Sequence, residues 1–337
     1  MQVKTGVFLV NLGTPDSPSV ADVRKYLREF LMDGRVIDIN AIARFLLVNL
    51  IIAPFRASKS AKIYKKLWTE RGSPLMFYGA ELTELLQKEL GDDYVVVLGM
   101  RYQNPSIESA LEKLKSQSIN KIIVIPLFPQ YASASTGSAL EEVMRVISKW
   151  QLIPQIAMID SYPNNPEMVQ TFADLGKKQM ASHQFDHFIF TYHGLPQRQL
   201  RKADSRCLTE GCCDTFSEKN RLCYRAQCVE TTRHLAKALG LKEGDFTISF
   251  QSRLGSDPWI KPYTDQMIEE LVKKGKKKIL VFAPSFVADC LETTIEIGEE
   301  YKELFEEKGG EHWQMVESLN VQPRWVNALK EMVLKQV

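Results

Sequence analysis

A chain of 337 residues is too long for one typical small domain and suits two domains of moderate size. Its composition, 45% hydrophobic and 25% charged, is that of an ordinary soluble globular protein. The formal net charge of +2 provides no broad basic surface, and the one dense basic run, Lys273–Lys278, fits a solvated turn. Nucleic acid is therefore excluded as an expected partner.

Two apolar segments near the N-terminus indicate where in the cell the protein is expected. Val7–Leu12 has the pattern of a buried strand that begins almost at once, so no export signal is expected. The longest apolar stretch, Phe45–Phe55, is interrupted by Asn49 and Pro54 and is shorter than the roughly 18 residues that cross a bilayer. We therefore expect a cytoplasmic protein whose apolar segment attaches it peripherally to the inner face of the membrane.

Strand-like apolar runs alternate with helical patterns along the chain, which predicts α/β layers around parallel sheets. In the first half, strands are predicted at Thr5–Leu12, Tyr94–Met100 and Lys121–Leu127, and helices at Val20–Leu31, Ile107–Ser116 and Ser138–Trp150. In the second half, strands are predicted at His187–Tyr192, Phe246–Phe250 and Lys277–Ala283, and helices at Arg225–Leu239, Tyr263–Lys273 and Ala288–Lys308.

The two halves follow the same order of strand, loop, helix and strand, so we predict two similar α/β lobes with a cleft between them. The N-terminal lobe is placed at residues 1–160, with an apolar lip at about 41–60. The C-terminal lobe is placed at 161–310 and contains a cysteine insert at 207–228. A C-terminal helix at about 311–337 is expected to pack back on the first lobe.

Ligands of open parallel sheets bind outside the carboxyl ends of the strands, so the residues at those ends are the candidates. His193 follows the predicted strand His187–Tyr192, and an imidazole there can ligate a divalent metal or accept a proton near neutral pH. A histidine that is merely hydrogen-bonded at a domain surface is the competing interpretation.

Four acidic residues follow the last predicted strand at helical spacing, namely Asp289, Glu292, Glu296 and Glu299. Their carboxylates share one helix face, which usually means a solvated surface. Because they come directly after a buried strand, where a ligand should bind, they also suit a path for protons or cations.

Two loops of small residues, Gly72–Pro74 and Ala132–Ala139, are able to admit a large flat ligand or to cradle an anion. A dinucleotide site is not predicted, because no GxGxxG motif follows a strand. The phosphate-binding motif GxxxxGK[ST] does not occur either.

Five of the six cysteines lie between Cys207 and Cys228, with the spacing C-x4-C-C-x9-C-x4-C. In a reducing compartment such a group favours a metal over a disulfide framework. Ligation by thiolates alone suits zinc or an iron–sulfur cluster, and the spacing does not choose between them. The candidate ligands are Cys207, Cys212, Cys213, Cys223 and Cys228.

Taken in order, the strand-end segments resemble the ferrochelatase family over nearly the whole chain. These segments are VNLGTPDSPSVADVRKYLREFLMDGRVID, RGSPL, GMRYQNPSI, PLFPQYASASTGS, TYHGLP, FQSRLGSDPWIKPYTD, APSFVADCLETTIEI and ESLN. The resemblance implies two flavodoxin-like, chelatase-type lobes, each with a parallel sheet flanked by helices, and a porphyrin bound in the cleft. It also implies a lyase that inserts ferrous iron into protoporphyrin IX to form protoheme, the last step of heme biosynthesis.

The same resemblance assigns roles to individual residues. His193 is implied to act on one face of the macrocycle as proton acceptor or iron ligand, and Glu292 is implied to be the opposing acid. Asp289 and Glu296 continue its carboxylate path. Which of His193 and Glu292 delivers the substrate iron stays open.

Substrate contacts are also expected along the strand ends and the lip. The expected walls of the porphyrin site are Arg101, Tyr102, Phe128, Trp259 and Phe286, with Ser73 in a small-residue loop. Arg56 and Lys59 suit the porphyrin propionates by charge. Leu12 stands where relatives that use coproporphyrin tend to carry tyrosine, so an apolar residue here favours protoporphyrin.

Two departures from the family pattern affect these expectations. Cys290 stands where many relatives have histidine, which puts a proton relay through this position in doubt. The C-terminal tail lacks the cysteine triplet that holds a [2Fe–2S] cluster in animal relatives, whereas the insert at 207–228 resembles the cluster segment of some bacterial ferrochelatases. Four of the five insert cysteines are therefore expected to hold a [2Fe–2S] cluster, with structural zinc as the alternative.

Other functions remain open at this stage. The chain is also compatible with a chelatase for coproporphyrin, or with a cobalt chelatase, although the apolar lip disfavours a water-soluble substrate. A non-enzymatic two-lobed binding protein is a further alternative. An electron-transfer iron–sulfur protein would explain only the cysteines, and the oligomeric state is not predicted.

Overall fold

The computed structural model describes residues 4–253, 255 and 257–337, which form two compact units. The first unit takes the chain up to Phe128, together with Ala132–Asp160 and Val326–Val337. The second comprises Pro129–Tyr131 and Ser161–Trp325. Of the segment predicted at about 311–337, only the last part therefore belongs with the first unit.

The first unit is built on a parallel sheet with the strand order β2-β1-β3-β4. The strands are β1 (Lys4–Gly13), β2 (Tyr94–Tyr102), β3 (Ile119–Pro126) and β4 (Gln155–Met158). Its helices are α1 (Val20–Met32), α2 (Ala41–Leu46), α3 (Ala53–Leu67), α4 (Pro74–Leu90), α5 (Ile107–Lys115) and α6 (Ser138–Ile147). Residues 7–10 of the central strand are fully buried, as expected of a strand covered on both faces.

The second unit repeats this topology, with the order β6-β5-β7-β8 and parallel pairing throughout. Its strands are β5 (His187–His193), β6 (Phe246–Gln251), β7 (Lys278–Phe282) and β8 (His312–Met315). The helices are α7 (Pro166–Ser182), α8 (Gln197–Ala203), α9 (Tyr224–Leu239), α10 (Thr264–Lys273), α11 (Tyr301–Glu307) and α12 (Pro323–Leu334). The prediction of two similar lobes, each with a parallel sheet flanked by helices, is confirmed.

Some elements differ from the prediction. The edge strands β4 and β8 were not predicted, because four residues are too few to show a pattern. Within the part of the chain that the structure describes, three segments are π-helical, namely Leu47–Ile52, Ser133–Gly137 and Glu292–Glu300. This form is rare and frequently occurs at functional sites. The predicted helix Ala288–Lys308 thus consists of a π-helical part followed by α11.

The apolar lip lies on a longer helix than its sequence suggested. Helical structure is continuous over Ala41–Leu67, because the turn Leu47–Ile52 has a π-helical register and Ala53 N–H bonds to the carbonyl of Val48. This register accommodates Pro54, which lacks an amide hydrogen. By length and composition alone, this is the one helix among the described residues that is long and apolar enough to cross a membrane. The expectation that the segment is too short was therefore wrong.

Candidate active site

His193 is the last residue of β5, at the carboxyl edge of the second sheet. The side chains of residues 188–192 are buried, and some of them are hydrogen-bonded, which fixes the pairing register of β5 against β6. This register places His193 at the edge of the sheet. Gly194 follows, and a Cβ at this position would lie 2.6 Å from the carbonyl oxygen of Gln251. Only glycine therefore lets the chain turn away so closely beside β6.

The main chain and imidazole of His193 are held by hydrogen bonds. Nδ1 lies 2.7 Å from the carbonyl oxygen of Gly194. Because a carbonyl only accepts, the neutral ring must carry its proton on Nδ1 and keep its lone pair on Nε2. Nε2 makes no hydrogen bond to any residue that the structure describes. His193 is thus prepared to accept a proton or to ligate a metal through Nε2.

Glu296 is a half-buried carboxylate of the π-helical segment that lies within electrostatic reach of His193. It accepts hydrogen bonds from Ser252 Oγ at 2.5 Å and from Tyr301 Oη at 3.1 Å. Burial raises the pKa of the Glu296 carboxyl, and the hydroxyl of Ser252 and the nearby His193 oppose this only in part. Such a carboxyl can take up and release protons closer to neutral pH than an exposed one.

Glu292 opens the same π-helical segment and is half-buried. Its charge contributes to the raised pKa of Glu296, so the two carboxyls are near neighbours. The buried Cys290 thiol is hydrogen-bonded to Glu292, and burial raises the pKa of that thiol well above its ordinary value. Cys290 is therefore a neutral packed residue that contacts Glu292 and does not relay protons as a histidine would.

Asp289 has a different environment from the two glutamates. Its Oδ2 accepts from Asn320 Nδ2 at 2.8 Å, and its Oδ1 accepts from the amide of Ser318 at 3.2 Å and from Thr293 Oγ1 at 3.4 Å. The amide of Asp289 in turn donates to Asn320 Oδ1 at 2.9 Å. Its oxygens are thus occupied by a network that fixes the loop before Glu292.

The carboxyl edge of the first sheet carries a charged network around Asp33. Arg101 Nη2 donates to Asp33 Oδ2 at 2.8 Å, and Tyr102 Oη donates to the same oxygen at 2.9 Å. Ser138 Oγ donates to it as well, at 2.5 Å. Burial opposes ionisation of Asp33, but these donors outweigh it and lower the pKa of the carboxyl. Tyr102 is fully buried, so it supports this edge from within.

The remaining predicted substrate residues are distributed over both units. Leu12 and Phe128 are half-buried at strand ends of the first unit, and the buried Ser73 accepts a hydrogen bond from Thr14 at 3.0 Å. Trp259 and Phe286 lie in the second unit, where Phe286 packs on the apolar core. Arg56 and Lys59 are exposed on α3.

The cysteine insert brings four of its five thiols into contact with one another. Cys207 Sγ lies 3.7 Å from Cys223 Sγ, and Cys212 Sγ lies 3.7 Å from Cys213 Sγ. Cys228 is fully buried in α9. Among residues 4–253, 255 and 257–337, no group of three or more His, Cys, Asp or Glu side chains is arranged to hold a metal ion. The predicted metal centre is therefore not confirmed.

Sequence reasoning missed four residues that support the site, namely Ser252, Tyr301, Tyr224 and Asn320. Ser252 has a φ of 64°, a conformation that polar residues adopt at few positions and that often marks a functional site. Tyr224 Oη donates to the carbonyl oxygen of His193 at 2.7 Å. None of the four carries a local signal, because their importance comes from contacts between segments distant in sequence.

Solved structures resemble this chain in fold. SirB from Bacillus subtilis, described with Fe³⁺, gives a TM-score of 0.58 at 13% identity and covers 99% of this chain and 95% of that one. CbiX, described as the terminal enzyme for siroheme biosynthesis in denitrifying bacteria, gives 0.52 at 9% identity, with coverage of 98% and 99%. Similarity at these identities shows the fold alone, which is that of the chelatases.

Whole-chain sequence similarity is more specific. The ferrochelatase family model matches residues 4–337. The ferrochelatase of Coxiella burnetii (strain CbuK_Q154) is 46% identical over 337 residues, covering 99% of this chain and 94% of that protein. The ferrochelatase of Legionella pneumophila (strain Paris) is 45% identical over 335 residues, covering 99% and 100%. The chain belongs to the ferrochelatase family, which confirms the predicted function and its lyase chemistry.

Proposed function

We propose that this ferrochelatase inserts Fe²⁺ into protoporphyrin IX and that His193 and Glu292 exchange protons and metal with the macrocycle. Metal insertion must remove two pyrrole N–H protons, so the site needs bases that are not already occupied. The observation that carries the proposal is the bond from His193 Nδ1 to Gly194, which leaves the Nε2 lone pair available. Placement of the porphyrin between the two lobes stays a prediction.

Protons that leave the macrocycle need a route to solvent. Glu292 and Glu296 are neighbouring carboxyls on one π-helical segment, and the raised pKa of Glu296 suits transient protonation. We assign Asp289 a supporting role, since its oxygens are occupied by Asn320, Ser318 and Thr293. Which of His193 and Glu292 delivers the iron stays open.

The first unit supplies substrate contacts in this proposal. Arg101 is held by Asp33 and Ser138, so its position is fixed before substrate binds. We propose that Leu12, Phe128, Trp259 and Phe286 contact the apolar macrocycle. The buried Tyr102 and Ser73 act behind this surface, while Arg56 and Lys59 are exposed cations that suit propionates.

Substrate choice is tested by an anaerobic insertion assay with Fe²⁺ and either protoporphyrin or coproporphyrin. The half-buried Leu12 supports protoporphyrin, because its apolar side chain suits vinyl groups better than carboxylates. We expect a higher kcat/KM for protoporphyrin, and the Leu12→Tyr variant should narrow the difference. A higher kcat/KM for coproporphyrin in the wild-type protein would overturn this assignment.

We also propose that the protein is cytoplasmic and docks on the inner membrane surface through its lip. Apolar side chains on the lip are strongly exposed, with Ile42 at 72%, Leu50 at 61% and Phe55 at 78%. A helix with such a face, flanked by Arg56 and Lys59, fits the interface of a bilayer. Docking there would let a poorly soluble porphyrin pass from the lipid to the site.

The docking proposal is tested by liposome sedimentation. Changing the exposed Phe45, Leu46 and Leu50 to serine, while keeping the buried Val48, should weaken sedimentation with liposomes and preserve the fold. Leu152→Ser is the matched control, because Leu152 is 86% exposed outside the lip. Equal liposome binding by the lip variant and the wild-type protein would contradict the proposal.

For the cysteine insert we propose a [2Fe–2S] cluster, with structural zinc as the alternative. Two thiolates on one metal ion with bonds of about 2.3 Å lie about 3.8 Å apart, close to the 3.7 Å within each thiol pair. The donor set thus fits in pairs but does not form a convergent tetrad, and no step of the reaction is assigned to it. Cys228 is the fifth, supernumerary thiol because it is fully buried in α9.

Anaerobic purification tests this cluster. Red-brown protein with about two irons and two labile sulfides per chain is expected. Single changes to serine should bleach the colour at Cys207, Cys212, Cys213 and Cys223, and Cys228→Ser should keep it. Colourless protein that contains one zinc would contradict the cluster and support a structural zinc site. Protein that contains no metal would exclude both assignments.

A further inference from the structure

Tyr224, the first residue of α9, holds the main chain of His193. Its hydroxyl donates to the carbonyl oxygen of His193 at 2.7 Å, and its side chain is buried. The imidazole of His193 is bonded to the next carbonyl, that of Gly194. A shift of the His193–Gly194 peptide therefore moves Nε2 as well, so Tyr224 acts on the reactive nitrogen without touching it.

Tyr224 is also the residue at which the cysteine insert enters α9. Cys223 caps this helix, and its carbonyl oxygen accepts the amide of Gln227 at 3.0 Å. Its Sγ lies 3.7 Å from that of Cys207, and it is hydrogen-bonded to the thiol of Cys213 as well. Cys223 and Tyr224 share one peptide bond, so the thiol contacts of Cys223 bear directly on the residue that begins α9.

We propose that Tyr224 is a positioning residue that couples the cysteine insert to His193. The contacts run without a gap from Cys207 to Cys223, along one peptide bond to Tyr224, and from its hydroxyl to the His193 carbonyl. Such a contiguous path is the physical basis of coupling between two sites. The inference rests on the proposed role of His193 in metal insertion, and it does not depend on which metal the thiols bind.

Tyr192 supplies a matched control for Tyr224. Its hydroxyl is hydrogen-bonded to Thr232 Oγ1 at 2.7 Å, so it also joins β5 to α9. It is fully buried, like its partner. Tyr192→Phe therefore removes a buried hydroxyl bond between the same two elements but keeps the hydrogen bond to the His193 carbonyl and the thiol contacts of Cys223. Comparison of the two phenylalanine variants separates positioning of His193 from a general loosening of the helix.

The first measurement compares kcat and KM for anaerobic metal insertion. Tyr224→Phe should lower kcat about fivefold, the effect of one hydrogen bond, and leave KM for porphyrin unchanged. Tyr192→Phe should change both less than twofold. The proton NMR signal of the His193 ring, assigned with His193→Ala, should move only in Tyr224→Phe. Equal kinetic losses in both phenylalanine variants, or an unmoved His193 signal, would reduce Tyr224 to an ordinary packing residue.

The second measurement tests the coupling by a double-mutant cycle. Cys207→Ser removes the thiol partner of Cys223 and should lower kcat about threefold in the wild-type background. In the Tyr224→Phe background it should have little further effect, because the link is already broken. If the fold losses in kcat of the two single variants multiply in the double variant, the insert and His193 are independent and the proposal is wrong. Failure of the proposed function is distinguishable, since the wild-type protein itself would then not insert iron.

Discussion

The carboxyl edges of the two sheets are built alike but differ in their electrostatics. β2 and β6 occupy equivalent places in the two strand orders, and each is followed by a residue in the left-handed region, Gln103 with φ 67° and Ser252 with φ 64°. Each of these side chains donates to a helix carboxylate, Gln103 to Glu29 and Ser252 to Glu296. The repeat thus extends from the topology to individual hydrogen bonds.

The two edges differ in the groups that contact their carboxylates. In the first unit, Asp33 pairs with Arg101 and its pKa is lowered, so this edge keeps a fixed charge over the physiological range. In the second unit, Glu296 is held by two hydroxyls and burial raises its pKa. One edge is therefore suited to rigid substrate contact, and the other to proton exchange. The pKa of each carboxylate is thus set by the groups that contact it and by its burial more than by its equivalent place in the fold.

Removing the histidine should give the largest effect. His193→Ala should lower metal insertion by about a thousandfold, within the range for loss of a general base, while porphyrin still binds. Porphyrin binding is followed by fluorescence, and insertion by absorbance under anaerobic conditions. His234→Ala is the control, because His234 is exposed on α9 and paired with Glu230. Near wild-type turnover of His193→Ala would remove this residue from the chemistry.

The next largest effect should come from Glu292. Glu292→Gln keeps the shape of the side chain and loses its proton affinity, so kcat should fall by about a hundredfold. Glu29→Gln is the matched change in the first unit, where the carboxylate holds Gln103. It should lower the free energy of unfolding and leave kcat within about twofold. Comparable losses of kcat in the two variants would break the distinction between the two edges.

Glu296 sharpens the comparison through its pH dependence. Because its pKa is raised in the folded protein, its ionised form is lost at a higher pH than for an exposed glutamate. Turnover should therefore decline as pH falls through this raised pKa, and Glu296→Gln should lower kcat about tenfold and abolish that decline. A raised folded-state pKa also means stability that is lost as pH rises, so the glutamine variant should melt higher at alkaline pH. An unchanged pH profile would return Glu296 to a structural role.

The sequence predicts the fold better than the pairings within the site. Alternating buried strands and amphipathic helices gave the sheets, and strand-end logic selected His193 because position alone places it at the carboxyl edge. The raised pKa of Glu296 was not predictable, since it comes from the burial of that side chain in the folded protein, which outweighs the opposing hydrogen bond from Ser252, a residue 44 positions away. The spacing of the five cysteines likewise could not reveal which of their thiols lie in contact.

The smallest effect on catalysis is expected from Asp33→Asn in the first unit. The pKa of Asp33 is lowered in the folded state, so its charge contributes stability above its ordinary pKa that is lost as pH falls through the folded value. Replacement by asparagine leaves Arg101 without its carboxylate and should cost about 2 kcal/mol of unfolding free energy at neutral pH. The deficit should shrink in acid, because the wild-type carboxyl is then protonated.

Denaturant unfolding at two pH values checks the stability of Asp33→Asn, and the insertion assay checks its activity. We expect kcat within about twofold of the wild-type value, because the ion pair exchanges no protons and Arg101 keeps its hydrogen bonds to Ser138. Ser138→Ala is a useful companion, since it removes one donor to Asp33 and leaves the charge pair with Arg101 in place. It should cost less stability than Asp33→Asn. A tenfold fall in kcat of Asp33→Asn without a loss of stability would place the first edge in the chemistry itself and end the contrast between the two units.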